Sequence, residues 1–206
     1  MNKKKLKKSI TILLPAGLLP AELLTVVHDL AERYNLGIYL STAQNIRLLD
    51  VKDENEEAIK KALVDAGAEL KGPGKFPLPR ICVGSQYCQL GMVNTQAFSN
   101  RILERFSNRD NVKPKFKIAI SACPASCSNP LTTDIGVRAV RNGFEVYAGG
   151  KGGPKPKVGR RIAAGVDEDE VLDIIESLVD FHACKTGKKQ RLVKLIDDPE
   201  FPFVAV

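Results

Sequence analysis

The sequence predicts an α+β fold in two parts, and three observations carry that prediction. Apolar residues recur at helical spacing in four segments, 21–34, 59–66, 93–106 and 167–182. Short runs rich in Ile, Val, Leu and Tyr, bounded by Gly, Pro and Asn, lie between them and read as strands. A stretch rich in Gly, Pro and Lys at 71–79 then divides the chain into residues 1–70 and 71–206.

Residues 10–14 form a short apolar strand ended by Pro15. Pro20 suits the first turn of a helix, whose apolar stripe is Leu23, Leu24, Val27, Leu30, Ala31 and Tyr34, with Gly37 as the stop. Residues 37–41 and 46–51 read as two strands joined by the polar turn 42–45. Ile59, Ala62, Leu63 and Ala66 mark a second helix ending near Gly67. The resulting β-α-β-β-α order fits a small ferredoxin-like sandwich.

In the second part, a short apolar stretch at 80–83 leads into one pair of cysteines. A helix over 93–106 carries Phe98, Ile102 and Phe106 on one face. Residues 115–121 alternate like a strand, with Lys115 and Lys117 on one side of it, and run into a second pair of cysteines. Residues 134–140 and 144–148 read as a hairpin across 141–143, and 149–159 as a loop. The last long helix begins at Asp167, with Glu170 placed to complete a capping box. Val171, Ile174, Ile175, Leu178 and His182 give it one face, and a shorter helix follows Gly187.

Composition narrows the function classes. With 44% hydrophobic and 27% charged residues, the chain can fill a core and does not read as disordered. Residues 1–8 carry five lysines ahead of an apolar run, as a secretory signal would, but Pro15, Gly17 and Pro20 interrupt that run and no small-residue cleavage site follows. The expected location is therefore cytoplasmic, with no membrane partner. The formal charge of +7 calls for a polyanionic partner or cofactor. Nucleic acid is not expected, because Trp is absent and no Arg/aromatic interleaving offers a stacking platform.

Four of the five cysteines form the two pairs, with five residues between Cys82 and Cys88 and three between Cys123 and Cys127. A disulfide framework fits poorly in a chain of this size and expected compartment. Structural zinc takes tighter pairs and often histidine, whereas His28 and His182 both fall on helices. An iron–sulfur cluster needs thiolates alone, and four are available. Spacing favours the cluster and leaves zinc open. Cys184, near the end of the last helix, reads as a packed or idle thiol.

With these residues in view, the chain resembles the siroheme-containing sulfite and nitrite reductases over nearly its whole length, in a small single-unit form. Three segments carry the resemblance: Leu14-Pro-Ala-Gly17 through Leu40-Ser-Thr-Ala-Gln-Asn-Ile-Arg47; the first cysteine pair with Lys115-Phe-Lys-Ile-Ala-Ile-Ser-Ala-Cys-Pro-Ala-Ser-Cys127; and Tyr147-Ala-Gly-Gly-Lys-Gly-Gly153 with the closing helix. The resemblance implies a ferredoxin-like half-domain at 1–70 followed by an α/β siroheme and iron–sulfur domain at 71–206. It implies that Cys82, Cys88, Cys123 and Cys127 hold a 4Fe–4S cluster, with Cys127 also ligating siroheme iron. Lys115 and Lys117 match residues that bind the anionic substrate and siroheme carboxylates. Thr42, Gln44, Asn45 and Arg47 match a siroheme-contacting turn, and Asn129 and Lys151 are further expected cofactor contacts. Siroheme and the cluster are both anionic, which accounts for the basic excess without nucleic acid.

The implied activity is six-electron reduction of sulfite, or of a related oxyanion such as nitrite, fed by a separate electron-donor protein. Two departures bear on it. One copy of the repeating unit is present where the family usually has two, which leaves an apolar face to be covered and makes a homodimer the expected assembly. The family's Thr-Thr-Arg-Gln pattern reads Ser41-Thr-Ala-Gln44, so Ala43 stands where an anion-binding arginine is usual, with Arg47 or Arg80 as the substitutes at hand. That change favours the second reading, a siroheme or iron–sulfur protein that transfers electrons or carries cofactor without turnover.

Overall fold

The computed structural model describes residues 7–110, 112, 115–187 and 190–206. The lysines at 3, 4 and 5 lie outside the described residues. The chain divides into two compact units, Met1–Gly72 and Pro73–Val206.

In the first unit, β1 (Lys8–Leu13), α1 (Ala21–Tyr34), β2 (Gly37–Leu40), β3 (Ile46–Val51), α2 (Glu56–Asp65) and β4 (Glu69–Leu70) follow in order. The sheet order is β2-β3-β1-β4, with every pairing antiparallel. Ile10 lies opposite Leu48 and Ile12 opposite Ile46, so one face presents four apolar side chains. They share a buried cluster with Leu23, Val27 and Leu30 of α1 and Ile59 and Leu63 of α2. Each such side chain contributes about 1.5–3 kcal/mol on full burial. Leu24, expected in the stripe of α1, is instead exposed.

Two expectations for this unit change. The stop of α1 is Asn35 rather than Gly37: Asn35 adopts a left-handed φ of 53° and its N–H returns to Ala31 and Glu32. The short edge strand β4 was not foreseen, because two residues carry no periodicity.

In the second unit, β5 (Arg80–Ile81), α3 (Thr95–Phe106), β6 (Ile118–Ser121), β7 (Ile135–Val140), β8 (Gly143–Ala148), β9 (Arg160–Val166) and α4 (Glu168–Lys185) build a sheet of order β5-β6-β7-β8-β9 with two long helices. The first two pairings are parallel and the last two antiparallel. Phe98, Ile102 and Phe106 of α3 are fully buried, as are Val137, Val146, Ile175 and Leu178. Asp167 accepts from the Glu170 N–H while the Glu170 carboxylate accepts from the Asp167 N–H, so the capping box forms as expected. Arg105 of α3 and Arg109 just beyond it meet Asp173, Glu176 and Asp180 along α4, and Arg101 meets Glu168 and Asp169. These largely exposed pairs fix register more than they stabilise, at about 0–1 kcal/mol each.

The structure differs from the sequence reading at four places here. β6 is shorter than 115–121, because Lys115 turns the chain with a φ of 73° before the strand begins. Its four residues are all buried, the continuous pattern of an interior parallel strand and not an alternation. The strand β9 falls where no element was expected; it is an edge strand, and of its residues only Ile162 is buried. After Gly187 there is a single 3-10 turn at Leu192–Lys194, where a shorter helix was expected. No helix among the described residues is long and apolar enough to cross a membrane.

Candidate metal centre

Parallel pairing explains why the two cysteine loops meet. Arg80 pairs with Ala119 and Ile81 with Ile120, so β5 and β6 end at the same edge of the sheet. The chain leaves β5 directly into Cys82 and leaves β6 through Ala122 into Cys123. Loops at the carboxyl ends of parallel strands are a recurrent place for ligands, because the scaffold beneath them is rigid.

Backbone contacts then lock the two loops together. The Ala122 N–H donates to Cys82 Sγ at 3.2 Å, the contact a thiolate ligand accepts. The Met92 N–H donates to the Ala122 carbonyl at 2.9 Å. Thr95, the first residue of α3, donates its hydroxyl to the Cys82 carbonyl at 2.6 Å. Two glycines make this closeness possible. A Cβ on Gly84, whose φ is +74°, would sit 2.7 Å from Thr95 Oγ1, and one on Gly91 would sit 2.6 Å from Ser85 N.

The second loop is shaped by side chains. Ser126 and Asn129 both take left-handed φ values, 58° and 54°. The buried Ser128 hydroxyl lies 2.7 Å from Ser121 Oγ and donates to the Ile120 carbonyl, while the Ser128 N–H donates to Ser121 Oγ. Arg80 reaches over from β5: Nε donates to the Ser128 carbonyl at 2.7 Å, and Nη2 to Thr133 Oγ1 at 3.1 Å and the Asn129 carbonyl at 3.5 Å. Burial pushes the Arg80 guanidinium down from its ordinary pKa, though an arginine stays protonated throughout.

The ligand candidates differ in exposure: Cys123 is buried, Cys82 and Cys88 half-buried, Cys127 exposed. Among the described residues, no three or more His, Cys, Asp or Glu side chains close on one point as a metal site. What the fold fixes is therefore the meeting of the two loops and not a finished set of sulfurs. The donor chemistry still fits an iron–sulfur cluster: four thiols, glycines that bring backbone close, and an N–H aimed at sulfur. His182 is no ligand. It is buried, its ring tilted against that of Phe116 at a centroid distance of 5.0 Å, with Nε2 2.9 Å from the Gln190 carbonyl. Cys184 is exposed and apart from the loops on α4.

The remaining expected site residues fall in separate places. Lys115 and Lys117 are exposed at the amino end of β6, opposite the end that carries Cys123 and Cys127. Asn129 is exposed, and its carbonyl accepts from Arg80 and Thr133. Lys151 pairs with Lys157 through two backbone bonds of 2.8 and 2.7 Å, which close the loop that Gly150 packs against the 130–133 turn. In the first unit, Asn45 Oδ1 accepts from the Leu14 N–H and the Asn45 N–H donates to Ser41 Oγ, so Asn45 holds the polar turn. Gln44 adopts a φ of 60° and packs on Gly17, whereas Thr42 and Ala43 are exposed. Arg47 is exposed and donates to Ser9 Oγ at 2.7 Å. Sequence reasoning missed Ser121, Ser128, Gly84, Gly91 and the loop-binding role of Arg80. One signal was present: residues 81–100 and 118–133 contain no Asp, Glu, Lys, Arg or His, in a chain where charge is frequent.

Comparison with known proteins places this architecture. The "Nitrite and sulphite reductase 4Fe-4S domain" family matches residues 78–199, and the "Nitrite/Sulfite reductase ferredoxin-like half domain" family matches residues 2–66. A nitrite reductase (NAD(P)H) of Emericella nidulans is 28% identical over 191 residues, covering 92% of this chain but only 17% of that protein. An assimilatory-type sulfite reductase of Nitratidesulfovibrio vulgaris is 25% identical over 199 residues, covering 96% of this chain and 90% of that one. The solved structure of Mycobacterium tuberculosis NirA aligns with a TM-score of 0.71 at 22% identity, over 92% of this chain and 38% of its own. Dissimilatory sulfite reductase I aligns with a TM-score of 0.75 at 15% identity, over 91% and 66%. At these identities the structural likeness is one of fold.

Proposed function

The chain belongs to the nitrite and sulfite reductase family, and from that premise we propose that it is a siroheme and 4Fe–4S oxidoreductase that reduces sulfite or a related small oxyanion such as nitrite. The observation that carries this reading is the delivery of both cysteine pairs to one sheet edge by the parallel pairing of β5 and β6. Cys82, Cys88, Cys123 and Cys127 would hold the cluster, and Cys127, the exposed one, would be the thiolate shared with siroheme iron. When bound, these groups supply single electrons and an iron to which the oxyanion attaches.

The chain's own residues do the rest. The Ala122 N–H, which donates to Cys82 sulfur, would orient that sulfur as a ligand. The exposed Lys115 and Lys117, at the amino end of β6 and away from the cysteine loops, are proposed to attract the oxyanion by their charge. Thr42, Gln44, Asn45, Arg47, Asn129 and Lys151 are the proposed polar contacts to siroheme carboxylates. A separate electron-donor protein supplies the electrons, as the name of a ferredoxin-dependent relative from Synechococcus elongatus illustrates. A homodimer is the proposed assembly, supported by β2, whose four residues are all exposed at a sheet edge, with Ile38, Tyr39 and Leu40 apolar or aromatic. Light scattering of the cofactor-loaded protein at micromolar concentration tests it, and a mass of 22.5 kDa would refute the dimer.

One observation favours the second reading, electron transfer or cofactor carriage without turnover. Ala43 replaces the arginine usual in the family, Arg80 is committed to loop carbonyls, and Arg47 bonds Ser9. A paired guanidinium–oxyanion contact is worth about 1.5–3 kcal/mol, roughly ten- to a hundred-fold in affinity. Sulfide formation from sulfite with an artificial donor is therefore expected to be weak in the wild type, with a lower KM in Ala43→Arg. About four iron and four sulfide per chain should accompany it after anaerobic purification. Both should be lost in Cys82→Ser and kept in Cys184→Ser. Stoichiometric zinc without sulfide would refute the cluster, and a loaded protein silent in both wild type and Ala43→Arg would leave the second reading.

A further inference from the structure

We propose that Arg80 is the positioning residue of the metal centre: it holds the loop after Cys127 in shape and raises the reduction potential of the cluster carried by the four cysteines. The proposal rests on the cluster assignment above and adds a role for a residue that is not a ligand.

Arg80 stands two residues before Cys82 on β5, yet its side-chain hydrogen bonds run to the segment beyond the other cysteine pair. Nε meets the Ser128 carbonyl, and Nη2 meets the Asn129 carbonyl and Thr133 Oγ1, which itself donates to the Asn129 carbonyl at 2.8 Å. The left-handed Asn129 turns the chain here, and its carbonyl also accepts from the Thr132 N–H at 3.3 Å, whereas the donor to the Ser128 carbonyl is Arg80 Nε. A guanidinium suits the task because its planar fork can serve several acceptors at once. Through it, one strand's side chain fixes the other strand's loop.

The charge is as informative as the fork. Arg101, Arg105, Arg109 and Arg138 in the same unit each meet a carboxylate. Arg80 is half-buried, and every partner found for it is a neutral oxygen. Among the described residues no carboxylate pairs with it, and a part-buried cation without a counter-ion is costly. The segments flanking it, 81–100 and 118–133, carry no ionisable Asp, Glu, Lys, Arg or His, so no carboxylate on them offsets it. The counter-ion consistent with this placement is the centre itself, anionic once four thiolates hold it. Reduction adds one electron from a low-potential one-electron donor and makes the centre one unit more negative, while no bond forms or breaks. A fixed cation stabilises that state in a poorly screened site, and the potential rises.

The test uses full-length protein purified anaerobically: wild type, Arg80→Gln and Arg80→Lys. Three quantities are read, namely iron and sulfide per chain, the midpoint potential by EPR-monitored titration, and amide exchange in residues 126–133. Arg80→Gln should keep its cluster with a more negative midpoint and faster exchange. Arg80→Lys should exchange faster but hold a midpoint near wild type, because the charge remains and the fork is lost. An unchanged midpoint in a fully loaded Arg80→Gln would overturn the electrostatic role, and unchanged exchange in both variants would overturn the positioning role. Should Arg80→Gln lose its iron, Arg80→Lys decides: a wild-type midpoint with faster exchange supports the proposal, and a lowered midpoint defeats it. Absence of iron and sulfide from the wild type would instead sink the cluster assignment, and exchange in metal-free protein would still read whether Arg80 holds the loop.

Discussion

The two cysteine loops leave neighbouring parallel strands at one sheet edge, but they are held by opposite means. In the segment from Cys82 to Gly91, beside the Thr95 hydroxyl on the Cys82 carbonyl, the means is missing side chains: Gly84 and Gly91 let the chain approach its neighbours at distances no Cβ permits. The loop from Cys123 to Cys127 is held by side chains that are present, the paired hydroxyls of Ser121 and Ser128 and the guanidinium of Arg80. The lesson is that the same ligand type can be placed by steric permission or by hydrogen bonding, and the two respond differently to substitution. Adding one carbon should damage the first loop, whereas removing one oxygen should damage the second.

The largest effect is expected at Gly91. A Cβ there would lie 2.6 Å from Ser85 N and 2.7 Å from the Gly84 carbonyl carbon, both backbone atoms that cannot rotate aside. Gly91→Ala should therefore cost at least the upper end of about 1–3 kcal/mol and release iron. Gly152→Ala is the control, since a Cβ there meets nothing within 4 Å. Iron content and thermal midpoints of the two variants check this, and matching behaviour would break the comparison.

The second loop should lose about 0.5–1.5 kcal/mol in Ser128→Ala, because the Ile120 carbonyl and the Ser121 hydroxyl each lose one hydrogen bond while keeping the Cys82 and Ser128 N–H donors. The double variant Ser121→Ala/Ser128→Ala should cost less than the sum of the singles, the mark of two groups acting as one unit. Denaturant unfolding of the four proteins measures that coupling. Strict additivity would mean that the hydroxyl pair contributes nothing as a pair.

The same contrast explains what could be read from the sequence. Local signals were legible: the apolar stripe and proline start of α1, the Asp167–Glu170 capping box, and the cysteine spacing. Each depends on residues within a turn or two of one another. The edge strand β9 was not legible, since an exposed strand that buries little beyond Ile162 leaves no alternating core pattern. Nor was the Arg80 contact, which joins residues 48 to 53 positions apart in the chain. At Lys115, a left-handed backbone ends what looked like a strand, and nothing in the side chain announces that turn. The ligands were readable as chemistry, while the scaffold that aims them was written in long-range contacts.

The smallest expected effect concerns pH, and it extends the contrast to two carboxylates of the second unit. Asp134, just beyond the second loop, is fully buried: desolvation raises its pKa, opposed by Arg191 and the Leu192 N–H. At Glu145 desolvation also acts upward, but hydrogen bonds from Arg138, Tyr147 and Arg161 outweigh it and hold the group below the usual range. The signs therefore oppose. The stability that Glu145 contributes is present above its unfolded value and is lost as pH falls through the lower folded value. For Asp134 the folded carboxyl binds its proton more readily than the unfolded one, so acidification relieves a penalty that grows as pH rises through the raised folded value. Glu145→Gln should accordingly flatten the acid-side loss of stability. Asp134→Asn, whose amide oxygen can still accept from the Leu192 N–H, should steepen it. Unfolding free energies from denaturant titrations between about pH 3 and 7 decide the matter. Parallel curves for wild type and both variants would show that neither carboxylate carries a folding-linked proton.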